Sequence, residues 1–147
     1  MGVVIVTGGT FGLGQSITVE LARRGHQVVA FGLAQQQVSS TARGFDSVQH
    51  ELAQAGLTAD VLEADVSNAA DVQRVVAHTV SRFGAIHGLV NNAAIGPLGT
   101  VLTTDEAVFE KIFDVNVKGT YLMSRAVIPH MAQAGGGSIV NLGSGAG

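Results

Sequence analysis

Eight residues near the N-terminus, Thr7-Gly8-Gly9-Thr10-Phe11-Gly12-Leu13-Gly14, carry the clearest chemical signal in the chain. Gly8 suits a sharp exit from a strand. Gly12 leaves backbone bare where a pyrophosphate would approach, and Gly14 lets the next helix lie close to the sheet. The N-terminus of that helix would offer N–H groups and the positive end of its dipole to phosphate. Glycine is abundant (20 residues), so an ordinary turn is the competing reading. The place of the motif, between a strand pattern and a helix pattern, favours nucleotide binding. Gln15 stands where a P-loop would carry its lysine, which sets that class aside.

Four other positions are candidates for chemistry. Asp65, in Ala64-Asp65-Val66, follows a strand pattern and suits either a ligand contact or a helix-entry charge. Asn92 follows another strand pattern; the Asn91-Asn92 pair could also be turn chemistry. Asn116 sits inside a helical pattern between Val115 and Val117, on what looks like the packed face, where an amide needs hydrogen-bond partners. Ser144 ends the run Ser138-Ile139-Val140-Asn141-Leu142-Gly143-Ser144, a strand leading to a serine in a Gly-rich stretch. The five histidines are scattered without the paired helical spacing of a metal site, so no metal is expected. His78 and Arg82, four apart, read as solvated.

The elements that must position these residues alternate between strand and helix. Val3-Val4-Ile5-Val6-Thr7 reads as a buried strand. A helix over 12–24 should bury Leu13, Ile17 and Leu21 and stop at Gly25. A strand over 27–31 and a polar loop, 35–44, lead to a helix over 46–55. A strand over 58–63 follows. Ser67 then caps a helix with the stripe Val72, Val75, Val76, Val80 and Phe83, closed by Gly84. Residues 89–91 make a fourth strand. Thr103 and Glu106 form a capping box for one long helix reaching about Gln133. Gly135-Gly136-Gly137 turns the chain into a fifth strand, 138–142. Such alternation predicts an α/β fold, a doubly wound parallel sheet in one domain over residues 1–147, with no linker or repeat.

Composition narrows the partners. With 46% hydrophobic and 13% charged residues the chain is globular. A net charge of -3 without Lys/Arg runs suits neither nucleic acid nor an anionic membrane. No apolar stretch is long enough to span a bilayer, and the start of the chain shows no signal peptide. The absence of cysteine rules out disulfides and fits a cytoplasmic setting.

The ordered set of motifs resembles the short-chain dehydrogenase/reductase family over the whole chain. Thr-Gly-x-x-x-Gly-x-Gly is similar to its cofactor motif. Asn91-Asn92-Ala93-Ala94 resembles its Asn-Asn-Ala-Gly, with Ala94 replacing the glycine, and Asn116-Val117-Lys118-Gly119 resembles its Asn-Val-x-Gly. Gly143 replaces the first of the two serines usual after strand five, and Ser144 keeps the second, catalytic one. The resemblance implies a Rossmann-like NAD(P)-binding domain. Gly8, Thr10, Phe11, Gly12, Leu13 and Gly14 would cradle the dinucleotide. Asp65 would accept from the adenine amino group while Val66 packs on the ring, and Asn92 would line the nicotinamide-ribose end. Asn116 would hold a relay water through its backbone, and Ser144 would bond the substrate oxygen. The activity implied is hydride transfer between nicotinamide and an alcohol or ketone, with homo-oligomers formed through the long helix.

Two features qualify that expectation. The family's acid/base Tyr lies beyond the serine and precedes a Lys by four residues. Here the one Tyr, Tyr121, comes earlier, has Arg125 at plus four, and reads as packing. The sequence is therefore expected to be the N-terminal part of a domain of roughly 250 residues. It would be inactive alone and marginally stable, or associated through the bare edge of its fifth strand. A non-catalytic dinucleotide binder and an inactive truncated product are the alternatives. As to cofactor, Gly32 occupies the end of strand two, where NAD-specific enzymes place an acid. The balance between NAD and NADP tilts slightly to NADP. Arg43 could reach the ribose, though a solvated charge is its simpler role.

Overall fold

A computed structural model describes residues 1–34 and 44–145. The elements run β1 (Val3–Thr7), α1 (Gly12–Arg23), β2 (Gln27–Gly32), α2 (Gly44–Gln54), β3 (Asp60–Glu63), α3 (Ala69–Phe83) and β4 (Gly88–Asn91). Then come α4 (Glu106–Phe113), a π-helical turn (Asp114–Lys118), α5 (Gly119–Gln133) and β5 (Ser138–Asn141). The five strands form one sheet in the order β3-β2-β1-β4-β5, with neighbouring strands parallel. This matches the first five places of the doubly wound dinucleotide-binding order. Among the described residues no helix is long and apolar enough to cross a membrane.

The period-2 alternation of each strand splits the core in two. Val4 and Val6 of β1 and Val28 of β2 face Val19, Ala22, Val48 and Leu52 of α1 and α2. Ile5, Val29, Phe31 and Leu89 face the other way, onto α3 and α5, where Val72, Val75, Val76, Met123 and Val127 meet them. Ile5, Val29 and Val75 are fully buried, each contributing roughly 1.5–3 kcal/mol of hydrophobic stabilisation. With helices on both faces, the crevice between β1 and β4, where strand order reverses, opens at the C-terminal ends of the strands.

Several local expectations are corrected. In α1 the buried face is Gly14, Thr18, Val19 and Ala22; Leu13 is exposed and Ile17 and Leu21 are half-buried. Close approach to the loop 8–9 selects small residues there, and the Thr18 hydroxyl donates to the Gly9 carbonyl at 3.0 Å. Asn68, not Ser67, caps α3: its carbonyl oxygen accepts from the N–H groups of Ala70 (2.9 Å) and Asp71 (3.3 Å). Thr103 serves a turn instead of a capping box, accepting from the Thr100 N–H at 2.9 Å, and Asp105 precedes α4 without a side-chain cap. The single long helix is broken by the π-helical turn around Asn116. Tyr121 is exposed, and Arg125 donates to its hydroxyl at 3.3 Å. His78 and Arg82 keep solvent contact as expected, and both also face Asp60, at 2.7 and 3.7 Å. Arg43 and nearly all of the 35–44 loop lie outside the described residues.

Candidate functional site

The loop between β1 and α1 is fastened to the end of β4. The buried Thr7 hydroxyl accepts from the backbone N–H of Asn92 (3.0 Å) and of Ala93 (2.9 Å). The Asn92 amide returns the tie, donating from Nδ2 to the carbonyls of Thr7 (3.0 Å) and Gly8 (3.1 Å). Gly8 adopts φ +61°, and a Cβ there would meet the Ala93 backbone and Asn92 Nδ2 at 3.0 Å. Residue 14 admits no side chain: its Cβ would overlap the Gly8 carbonyl and lie 2.5 Å from Asn92 Nδ2.

Gly12 is the opposite case. At φ +56° it has nothing within 4 Å of where a Cβ would stand, so its backbone faces open space. Phe11 before it is extended, and no side chain caps the first turn of α1, which also contains no acid. That turn presents N–H groups and a dipole end to the cleft, an arrangement made for an anion. Both the bare backbone and the uncapped helix end fit a pyrophosphate.

The cleft beyond is walled by Phe11, Leu13, Leu33, Val66, Val115 and the aliphatic stretch Ala93-Ala94-Ile95. Val66 is backed by Gly119 of α5, where a Cβ would come within 2.8 Å of it. Asp65 and Lys111 are the charged residues among those lining the cleft. Asp65 Oδ1 accepts from the Ser67 N–H (2.8 Å) and hydroxyl (2.6 Å), and Lys111 Nζ lies 3.4 Å from Oδ2. Burial pushes the Asp65 pKa up, but the Ser67 bonds and the Lys111 charge outweigh it and hold the carboxyl below its ordinary range. Oδ2 therefore stays ionised at neutral pH and turned toward the cleft side that carries Lys111.

The remaining sequence-predicted residues stand further from this cleft. Thr10 is fully buried and does not line it. The Asn116 side chain clamps Ile95, accepting from its N–H and donating to its carbonyl, both at 2.9 Å. Its own carbonyl accepts from the Thr120 hydroxyl at 3.0 Å. Ser144 is exposed beyond the end of β5, outside the lining of the cleft. Near it, Asn91 Nδ2 donates to Asn141 Oδ1 (2.8 Å) and to the Ser124 hydroxyl (3.2 Å), joining β4, β5 and α5. Sequence reasoning missed two residues. Thr7 had a readable signal, a hydroxyl at the end of a buried strand that must find a partner. Lys111 had none, being an ordinary cation on a helix.

Known proteins share this architecture. The family model "short chain dehydrogenase" matches residues 2–147. A 2-(R)-hydroxypropyl-CoM dehydrogenase of Xanthobacter autotrophicus is 41% identical over 97% of this chain and 56% of its own length. Dehydrogenase/reductase SDR family member 4 of Bos taurus is 39% identical over 97% of this chain and 49% of its own. The solved structure of an actinorhodin polyketide ketoreductase with NADPH matches at a TM-score of 0.86 and 28% identity, covering 97% of this chain and 53% of that one. The chain thus spans about half the length of the curated relatives it matches. With the glycine loop, the strand order and a match along nearly its whole length in agreement, the chain belongs to the short-chain dehydrogenase family of oxidoreductases.

Proposed function

We propose that this chain binds a nicotinamide dinucleotide and serves the transfer of hydride between its nicotinamide ring and a small alcohol or ketone. The observation that carries the reading is the uncapped N-terminus of α1 beside the bare backbone of Gly12, with the loop held rigid by Thr7 and Asn92. The N–H groups from Gly12 to Gly14 would hold the pyrophosphate. Phe11 and Val66 would flank the adenine end, with Asp65 accepting there and Lys111 at its side. Asn92 and Ala93 would bound the nicotinamide-ribose end. When bound, the cofactor supplies or takes up hydride at C4 of its nicotinamide. Ser144 would hydrogen-bond the substrate oxygen, and the Asn116 backbone would hold a water for proton relay. NADP is the preferred form, because Gly32 leaves no carboxylate at the ribose. The relatives' names, a hydroxypropyl-CoM dehydrogenase and a ketoreductase, support the alcohol/ketone class. The proposal extends to self-association, supported by the exposed residues Phe109, Phe113, Val117 and Tyr121, four apart along α4, the π-helical turn and α5.

Titrating the protein with NADPH and NADH while following nicotinamide fluorescence tests the reading. Saturable binding of either is expected. Gly12→Asp sets a negative charge in the open space and should weaken binding at least about tenfold relative to Gly12→Asn, which carries the same strain at φ +56° without the charge. Saturable binding unchanged by that charge would place the ligand elsewhere, and no binding by the parent would reject the reading.

A further inference from the structure

We propose that Thr10 determines which dinucleotide the cleft prefers, by occupying the space that a side chain at residue 32 needs. This rests on the dinucleotide reading above and adds to it a specificity residue that does not touch the ligand.

Gly32 is the last residue of β2 and lines the cleft. In a sheet of this order a carboxylate at that strand end accepts from the ribose 2′-OH and would repel a 2′-phosphate. Residue 32 points to the same side of the sheet as Val28 of the α1/α2 core, by the alternation of β2. A Cβ there would lie 2.6 Å from Thr10 Oγ1, with Thr10 Cγ2 at 3.5 Å and Cβ at 3.6 Å. Only the hydroxyl comes closer than van der Waals contact allows. It has little room to yield, since Thr10 is fully buried and β-branched.

The hydroxyl makes no hydrogen bond among the described residues. A buried, unpartnered hydroxyl costs stability, so bonding does not account for it. Its consequence is steric: while residue 10 is Thr, residue 32 is confined to glycine, and the ribose end of the cleft lacks an acid. Asp65 does not supply one, because its carboxylate, held between Ser67 and Lys111, is assigned above to the adenine end. Thr10→Ala would remove Oγ1 and Cγ2 and leave the nearest Thr10-derived atom at the ordinary distance of 3.6 Å.

The test is a double-mutant cycle read first as melting temperature without ligand, then as NADH and NADPH affinity. Gly32→Ala should lower the Tm by about 5 °C in the parent and by no more than about 1 °C in the Thr10→Ala background. Gly32→Asp alone should lose stability and bind both dinucleotides less well. Thr10→Ala/Gly32→Asp should regain stability and shift the NADH-to-NADPH affinity ratio at least about tenfold toward NADH. Equal Tm losses in both backgrounds, a double variant no more stable than Gly32→Asp, or an unchanged affinity ratio would each overturn the proposal. Should the parent bind neither dinucleotide, the cofactor reading falls and the specificity role with it. The ligand-free Tm cycle separates that result from a wrong assignment of the contact.

Discussion

Two junctions at the C-terminal ends of the strands are held by different physics. Where the β1–α1 loop meets β4, backbones lie so close that side chains are excluded, and the Thr7 and Asn92 bonds fix what sterics permit. Where the segment after β4 meets the π-helical turn, the Asn116 amide grips the Ile95 peptide by two hydrogen bonds. Around that second junction much is exposed, including Leu98, Val101, Leu102 and Phe113. Steric exclusion is all-or-none, whereas a hydrogen-bonded clamp can open and close at modest cost. The first junction suits a part that must not move, such as a phosphate cradle. The second suits a segment that adjusts.

The strongest way to break the comparison is Gly14→Ala. A methyl group there must displace the Gly8 carbonyl, which is backbone and cannot rotate away. The expected loss is about 3 kcal/mol or more in urea denaturation, with dinucleotide binding abolished. A loss under about 1 kcal/mol would mean that the loop yields, and that the contrast between a rigid and an adjustable junction is wrong. Thr7→Val comes next. It keeps the shape but leaves the Asn92 and Ala93 N–H groups without their acceptor, for an expected cost of about 2 kcal/mol. Thr7→Ser should recover most of that loss, because it restores the oxygen and not the methyl group.

The two junctions also differ in how far the sequence disclosed them. The glycine spacing in 7–14 announced the first, since a turn, a close approach and an open backbone each demand glycine for a reason that chemistry supplies. The doubly wound parallel sheet followed from the alternation of short β-branched runs with helical stripes, whereas the order of its strands comes from the structure. What the sequence hid was set by tertiary contact. An unbroken apolar period from 106 to 133 does not show that Asn116 will reach across to Ile95 and that a π-helical turn will stand there. Nor does an apolar repeat at 13, 17 and 21 reveal that α1 must present its small residues to the glycine loop. Asn68 displaced Ser67 as a cap because Ser67 is spent on Asp65, a competition between neighbours that composition cannot rank.

Asn116→Ala probes the second junction. Removing the clamp leaves the Ile95 N–H and carbonyl to find water, so the cost should be about 1–2 kcal/mol, smaller than at Thr7 because the site is only half-buried. Hydrogen exchange gives the sharper reading. The Ile95 amide should exchange faster, while the Asn92 and Ala93 amides keep their protection. Loss of protection at all three would show one cooperative unit in place of two.

The smallest expected effect concerns acid. Burial opposes the charge on Asp65, but the Ser67 hydroxyl and N–H and the Lys111 ammonium prevail, so its folded pKa lies below the unfolded value of about 3.9. A depressed folded pKa means that the unfolded chain binds the proton more readily. The stabilisation is therefore complete above the unfolded pKa and disappears as the pH falls through the folded one. Asp65→Asn should flatten the stability profile slightly below pH 4 and leave its slope near pH 7 untouched. Ser67→Ala removes the hydroxyl bond but keeps the backbone one, and should move the Asp65 titration, followed by carboxyl NMR, part of the way up toward its ordinary value. Lys111→Ala should move it by a smaller step, because its ammonium stands 3.4 Å away and half in solvent, where screening weakens it. A larger shift for Lys111→Ala than for Ser67→Ala would reverse that ranking and make the cation, not the turn, the group that holds this side of the cleft in its ionised state.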